Sequence, residues 1–74
     1  MVKEVTLKDM ADVKRLNDVA CSEGVKITVS KGSICVDARS LLGLYTLIGS
    51  KVMLAAPDHS NPERFVRVLD RVAL

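Results

Sequence analysis

Residues 37–47, DARSLLGLYTL, place a serine directly before a dense run of apolar side chains. Of the eight residues 41–48, six are large and apolar: Leu41, Leu42, Leu44, Tyr45, Leu47 and Ile48. Spaced at about 100° per residue on a helix, they sweep an arc of roughly 220°. A helix lying on a core needs only about 100° or slightly more. The spacing therefore predicts a helix over 41–48, ended by Gly49, with surplus apolar surface. Leu44 and Leu47 share an edge suited to a core, which turns Leu41, Leu42 and Tyr45 outward as a contact patch. Gly43 costs about 1 kcal/mol against alanine and keeps that outer face flat. Ser40 can cap the helix through its hydroxyl, or serve as a phosphorylation site whose charge the helix start tolerates. Both readings stay open on the residues alone.

Outward from this stretch, the chain alternates strand and helix signals. On the N-terminal side, VKEVTLK sets Val5 and Leu7 on one strand face. Asp9 then caps a helix with Asp12 in its first turn and Val13, Leu16 and Ala20 along one stripe, ending near Ser22 before Gly24. Val25, Ile27 and Val29, then Ile34, Val36 and Ala38, alternate around SKGS, so a hairpin turns at Gly32. After Gly49, KVMLAA is a short, nearly continuous apolar strand. Asn61 and Pro62 open a last helix, with Phe65, Val68, Leu69, Val72 and Ala73 on one face. That face spans only about 160°. The order β-α-β-β-α-β-α over residues 1–74 predicts one two-layer α+β domain with its helices on one sheet face.

Composition narrows the function classes. The chain has 74 residues, 49% of them apolar, and a net charge of +2, which is no strong pull towards nucleic acid or membrane. MVKEVTLKD lacks an apolar leader segment, and no apolar run approaches the roughly 20 residues of a bilayer span. No membrane insertion is expected. Cys21 and Cys35 lack metal-ligand spacing and read as reduced, buried residues of a cytoplasmic protein. No metal or cofactor is called for.

Chemistry-bearing candidates are few. His59, in PDHSNPERF, is the single histidine. It reads either as a nucleophile or phosphate carrier near a helix start, or as an ordinary loop residue; the absence of a glycine-rich or basic cradle favours the latter. Arg64, Arg67 and Arg71 follow helical spacing, but Glu63 and Asp70 interleave them as on a solvated face. Nothing in the chain assembles hydrolytic or metal chemistry, so no enzyme is expected.

The segment VDARSLLGLYTL resembles the regulatory-serine region of HPr, the phosphocarrier of the bacterial sugar phosphotransferase system. The element order over residues 2–73 is also that of the HPr family. The resemblance implies an open-faced β-sandwich with a four-stranded antiparallel sheet and three helices on one face. It further implies that Ser40, preceded by Arg39, matches the serine modified by HPr kinase/phosphorylase in many Gram-positive bacteria. Leu41, Leu42 and Tyr45 would match the helix that docks on enzyme I, sugar permease domains, the kinase and transcriptional catabolite-control regulators.

The departure from that family lies at the first helix. HPr carries its phosphoryl group on a histidine in a G-x-H-A-R-P-type motif. Here the region reads LKDMADVKRLND, with Asp9, Met10 or Ala11 where the histidine would fall and Asp12 near the supporting arginine. The resemblance thus implies an HPr-like protein without the carrier histidine, acting as a protein-binding, regulatory module with a serine switch. The alternatives are an atypical phosphocarrier that uses His59, and a non-phosphorylated interaction protein that dimerises through its apolar patch.

Overall fold

In the computed structural model, which describes residues 1–57 and 61–74, seven elements follow the expected order. They are β1 (Val2–Leu7), α1 (Met10–Glu23), β2 (Thr28–Lys31), β3 (Ile34–Asp37), α2 (Leu41–Tyr45), β4 (Ser50–Ala55) and α3 (Pro62–Val72). The strands form one antiparallel sheet in the order β1-β4-β2-β3. Its inward residues Val5, Leu7, Val29, Val52 and Leu54 meet Val13, Leu16 and Val19 of α1 and Phe65, Val68 and Val72 of α3 in one core. The other sheet face stays open: a register row runs Glu4, Met53, Ser30, Cys35 across all four strands. This is the open-faced sandwich.

Local chemistry explains where the elements start and stop. Asp9, Ser40 and Asn61 each cap a helix by accepting a backbone N–H with the side-chain oxygen. Gly24 ends α1 in the left-handed region at φ 66°. Gly32 and Ser33 link Lys31 to its partner Ile34, with Gly32 at φ 60° in the first turn position, as a two-residue hairpin of type II′ requires.

Several expectations need correction. The helix expected over 41–48 is α-helical only from Leu41 to Tyr45. Beyond it the N–H groups of Thr46, Leu47 and Ile48 bond three residues back, to Gly43, Leu44 and Tyr45, and the Thr46 hydroxyl also donates to the Gly43 carbonyl at 2.7 Å. A three-residue pitch stacks Leu47 directly beyond Leu44, and both are buried. Gly43 faces inward rather than flattening the outer face. A Cβ there would stand 3.0 Å from Val36 Cβ, so the missing side chain lets α2 close on β3.

Both cysteines are free, as expected, but exposed rather than buried. Cys35 falls on the open sheet face because its neighbour Val36 points to the core, and Cys21 lies just past the buried stripe of α1. Strand β4 is apolar on both faces at its centre, as its sequence implies, with Val52 and Leu54 buried and Met53 on the open face. Ile34 sits exposed beside the hairpin turn, unlike Val36 and Ala38. Ala73 caps α3 at φ 54° and is exposed, so it leaves the apolar face that holds Phe65, Val68 and Val72.

Candidate functional site at the mouth of the second helix

The segment joining β3 to α2 is tied down at Ala38, whose N–H donates to the Ile27 carbonyl at 2.9 Å and whose carbonyl accepts the Asn17 amide at 3.2 Å, and at Asp37. Asp37 makes the bonds nearest the serine. Its carbonyl accepts the Ser40 N–H at 2.8 Å. Its carboxylate accepts the Arg39 backbone N–H at 2.8 Å, and takes the Arg39 guanidinium in a fork at 3.2 and 2.9 Å. Those side-chain and then backbone hydrogen bonds from Arg39 hold the Asp37 carboxyl below its ordinary range, and the same pairing raises the Arg39 guanidinium. The signal was legible, since an aspartate two residues before a turn residue tends to bond its own backbone. Sequence reasoning nonetheless passed over Asp37.

Ser40 stands in extended conformation, its Oγ accepting the Gly43 N–H at 3.2 Å and its carbonyl accepting the Leu44 N–H at 3.0 Å. Beyond it the surplus apolar arc resolves into two faces. Leu44 is fully buried, whereas Leu41, Leu42 and Tyr45 are 38%, 80% and 53% exposed. An exposed serine hydroxyl, a paired arginine and three solvent-facing apolar side chains thus share about one turn and a half of chain. Exposed apolar side chains grouped in this way can pack against another surface.

The start of α1 has the opposite character. Asp12 is the one buried charged residue in the described structure, at 3% exposure. Its carboxylate accepts the Lys8 backbone N–H at 2.8 Å and the Arg15 guanidinium at 2.9 Å, with the Lys8 ammonium at 3.5 Å. The Lys8 N–H bond does most to lower its pKa, against desolvation; the nearby cations add to the lowering. Both cations are thereby committed to a carboxylate of the chain itself.

The remaining candidate, His59, lies outside the described residues. Arg67 and Arg71 reach across to Glu23 of α1 at 3.5 and 3.2 Å, so they tie α3 to α1 rather than form a free basic stripe. A cleft of about 270 Å³ opens between β1 and α3, over Val5, Leu54, Leu69 and Val72, but it touches none of the candidate residues. Among the described residues, no three metal-ligating side chains cluster, and no helix is long and apolar enough to cross a membrane.

No protein-family model matches the chain, and neither does any curated protein. Solved structures do match. The crystal structure of HPr-C-His from Thermoanaerobacter tengcongensis superposes with a TM-score of 0.75 at 20% identity, covering 99% of this chain and 91% of that one. The phosphocarrier protein HPr from Bacillus anthracis str. Ames gives a TM-score of 0.70 at 16% identity, covering 96% of this chain and 94% of that one. At such identities the likeness establishes the HPr-like fold.

Proposed function

We propose that the chain is an HPr-like binding module of the phosphotransferase system, in which Ser40 controls a docking surface made by Arg39, Leu41, Leu42 and Tyr45. The observation that carries this reading is the exposed apolar trio directly after a serine cap, in a fold shared with HPr proteins. Its partners are enzyme I, sugar permease domains, HPr kinase/phosphorylase or a transcriptional regulator, met in the cytoplasm. The protein is a target of recognition and not itself an enzyme. A carrier role through α1 is disfavoured, because no histidine stands there and the buried Asp12 carboxylate already holds the local cations.

The control step is a phosphoryl transfer from ATP. An Oγ–P bond forms as the bond from the γ-phosphorus to its bridging oxygen breaks; ADP leaves, and the hydroxyl proton passes to the kinase's general base. The product bears a charge of about −1.5 to −2 next to apolar surface, and a phosphate resists the desolvation that docking demands.

The test is incubation with HPr kinase/phosphorylase and ATP beside a competent HPr. Label on Ser40, lost in Ser40→Ala, is expected; an unlabelled chain beside a labelled HPr sinks the switch. The docking surface is tested separately by capture of enzyme I or a permease domain. Leu42→Ala and Tyr45→Ala should each weaken capture about tenfold, as central apolar anchors do, and unchanged capture removes the surface. An acid-labile label from enzyme I and phosphoenolpyruvate that His59→Ala abolishes would replace this reading with a carrier one.

A further inference from the structure

In the unmodified protein both oxygens of Asp37 are engaged by Arg39, the residue next to Ser40. The pair is partly open to solvent, at 33% and 46% side-chain exposure. An ion pair in such surroundings contributes little to stability, so its partners exchange readily. A phosphate on Ser40 is the stronger competitor: it carries up to about twice the charge of a carboxylate and three acceptor oxygens, a good match for a guanidinium fork. The reach is short, because consecutive Cα atoms are about 3.8 Å apart and the Arg39 side chain is longer than that. Asp37 also sets where Ser40 sits, through the bond from the Ser40 N–H to its carbonyl.

We propose that Asp37 is a positioning residue for Ser40: it parks Arg39 beside the serine, and a phosphate placed there takes Arg39 over. This inference rests on the proposed switch at Ser40 and names how that switch works. Before modification the Asp37–Arg39 pair is itself neutral, so it adds no net charge beside the apolar trio. Afterwards Arg39 neutralises part of the phosphate while the Asp37 carboxylate is released. A further cation faces this exchange: Lys26, ahead of β2, whose charge also helps to lower the Asp37 carboxyl. Lys26 is the cation left to Asp37 once Arg39 departs. The modification therefore rearranges the loop as well as charging it, and the docking face meets a partner with a net negative entrance.

The experiment uses protein with phosphoserine built in at position 40, so that no kinase is needed. The Arg39 Nε–H resonance should move on phosphorylation, away from its Asp37-bonded position. In ³¹P titrations the second ionisation of the phosphate should fall in Asp37→Asn and rise in Arg39→Gln. Each shift should be about half a pH unit, the effect of one charge roughly 6 Å away in solvent. Asparagine keeps an oxygen for the Arg39 backbone N–H, so the turn survives. Should that variant fail to fold, Arg39→Gln carries the titration alone. An unmoved Arg39 resonance, or titration curves that superimpose, overturns the exchange. Failure of the kinase to label Ser40 is a separate outcome, which removes the switch and leaves the phosphoserine result readable.

Discussion

At the start of α1 the Asp9 carboxylate accepts the Asp12 N–H at 3.1 Å; at the start of α2 the Ser40 hydroxyl accepts the Gly43 N–H at 3.2 Å. The two caps share one spacing and one geometry, yet their surroundings diverge. In α1 the next polar group, Asp12, is buried with Lys8 and Arg15 drawn around it. In α2 the cap opens onto Leu42 and Tyr45, both more than half exposed. A helix start is thus not in itself a site. What distinguishes the two is whether the neighbouring charge is buried, as Asp12 is, and whether apolar surface is left exposed, as at Leu42 and Tyr45.

The sharpest way to break the contrast lies within α2. Leu44→Ala empties a fully buried position and should cost about 2–5 kcal/mol in urea unfolding, enough to leave a domain of this size marginal. Leu42→Ala, two residues away and 80% exposed, should change stability by no more than about 0.5 kcal/mol while weakening partner capture. Equal stability losses would mean that the two faces are not distinct.

Next in size is Asp12→Ala, expected to cost about 2 kcal/mol at neutral pH, because hydrogen bonds to a charged group are lost while Lys8 and Arg15 remain hydrated. Its pH dependence follows from the sign of the shift. The folded-state pKa lies below 3.8, so the stabilisation is complete above the unfolded value and fades as pH falls through the folded one. The gap between wild type and Asp12→Asn should therefore narrow in acid, and a constant gap from neutrality to strong acid would contradict an ionised Asp12. The smallest effect sharpens the likeness itself. Asp9→Ala and Ser40→Ala should each cost about 1 kcal/mol; a large disparity in thermal unfolding would show that the caps differ in strength as well as in surroundings.

Much of the outward-facing surface could be read before any coordinates. The excess arc of 41–48 already implied a second face, and the exposures of Leu41, Leu42 and Tyr45 agree with it. The clamp at Asp37 and the inward turn of Gly43 were missed. Asp37 carried a local signal, whereas Gly43 looked like a surface residue until Val36 of β3 was seen against it. The cysteines were misjudged because a residue type that is buried on average says nothing about the register of one strand or the phase of one helix.

Element order, the three side-chain caps and the glycine-marked ends of α1 and the hairpin were determined by sequence alone. Each depends on partners no more than about four residues away, whose chemistry is written consecutively along the chain. Strand order β1-β4-β2-β3, the burial of Asp12, the tightened turns after Tyr45 and the closure of α2 on β3 were decided only in three dimensions. They depend on which distant segments exclude water together, and burial is a property of the assembled core that no local window contains.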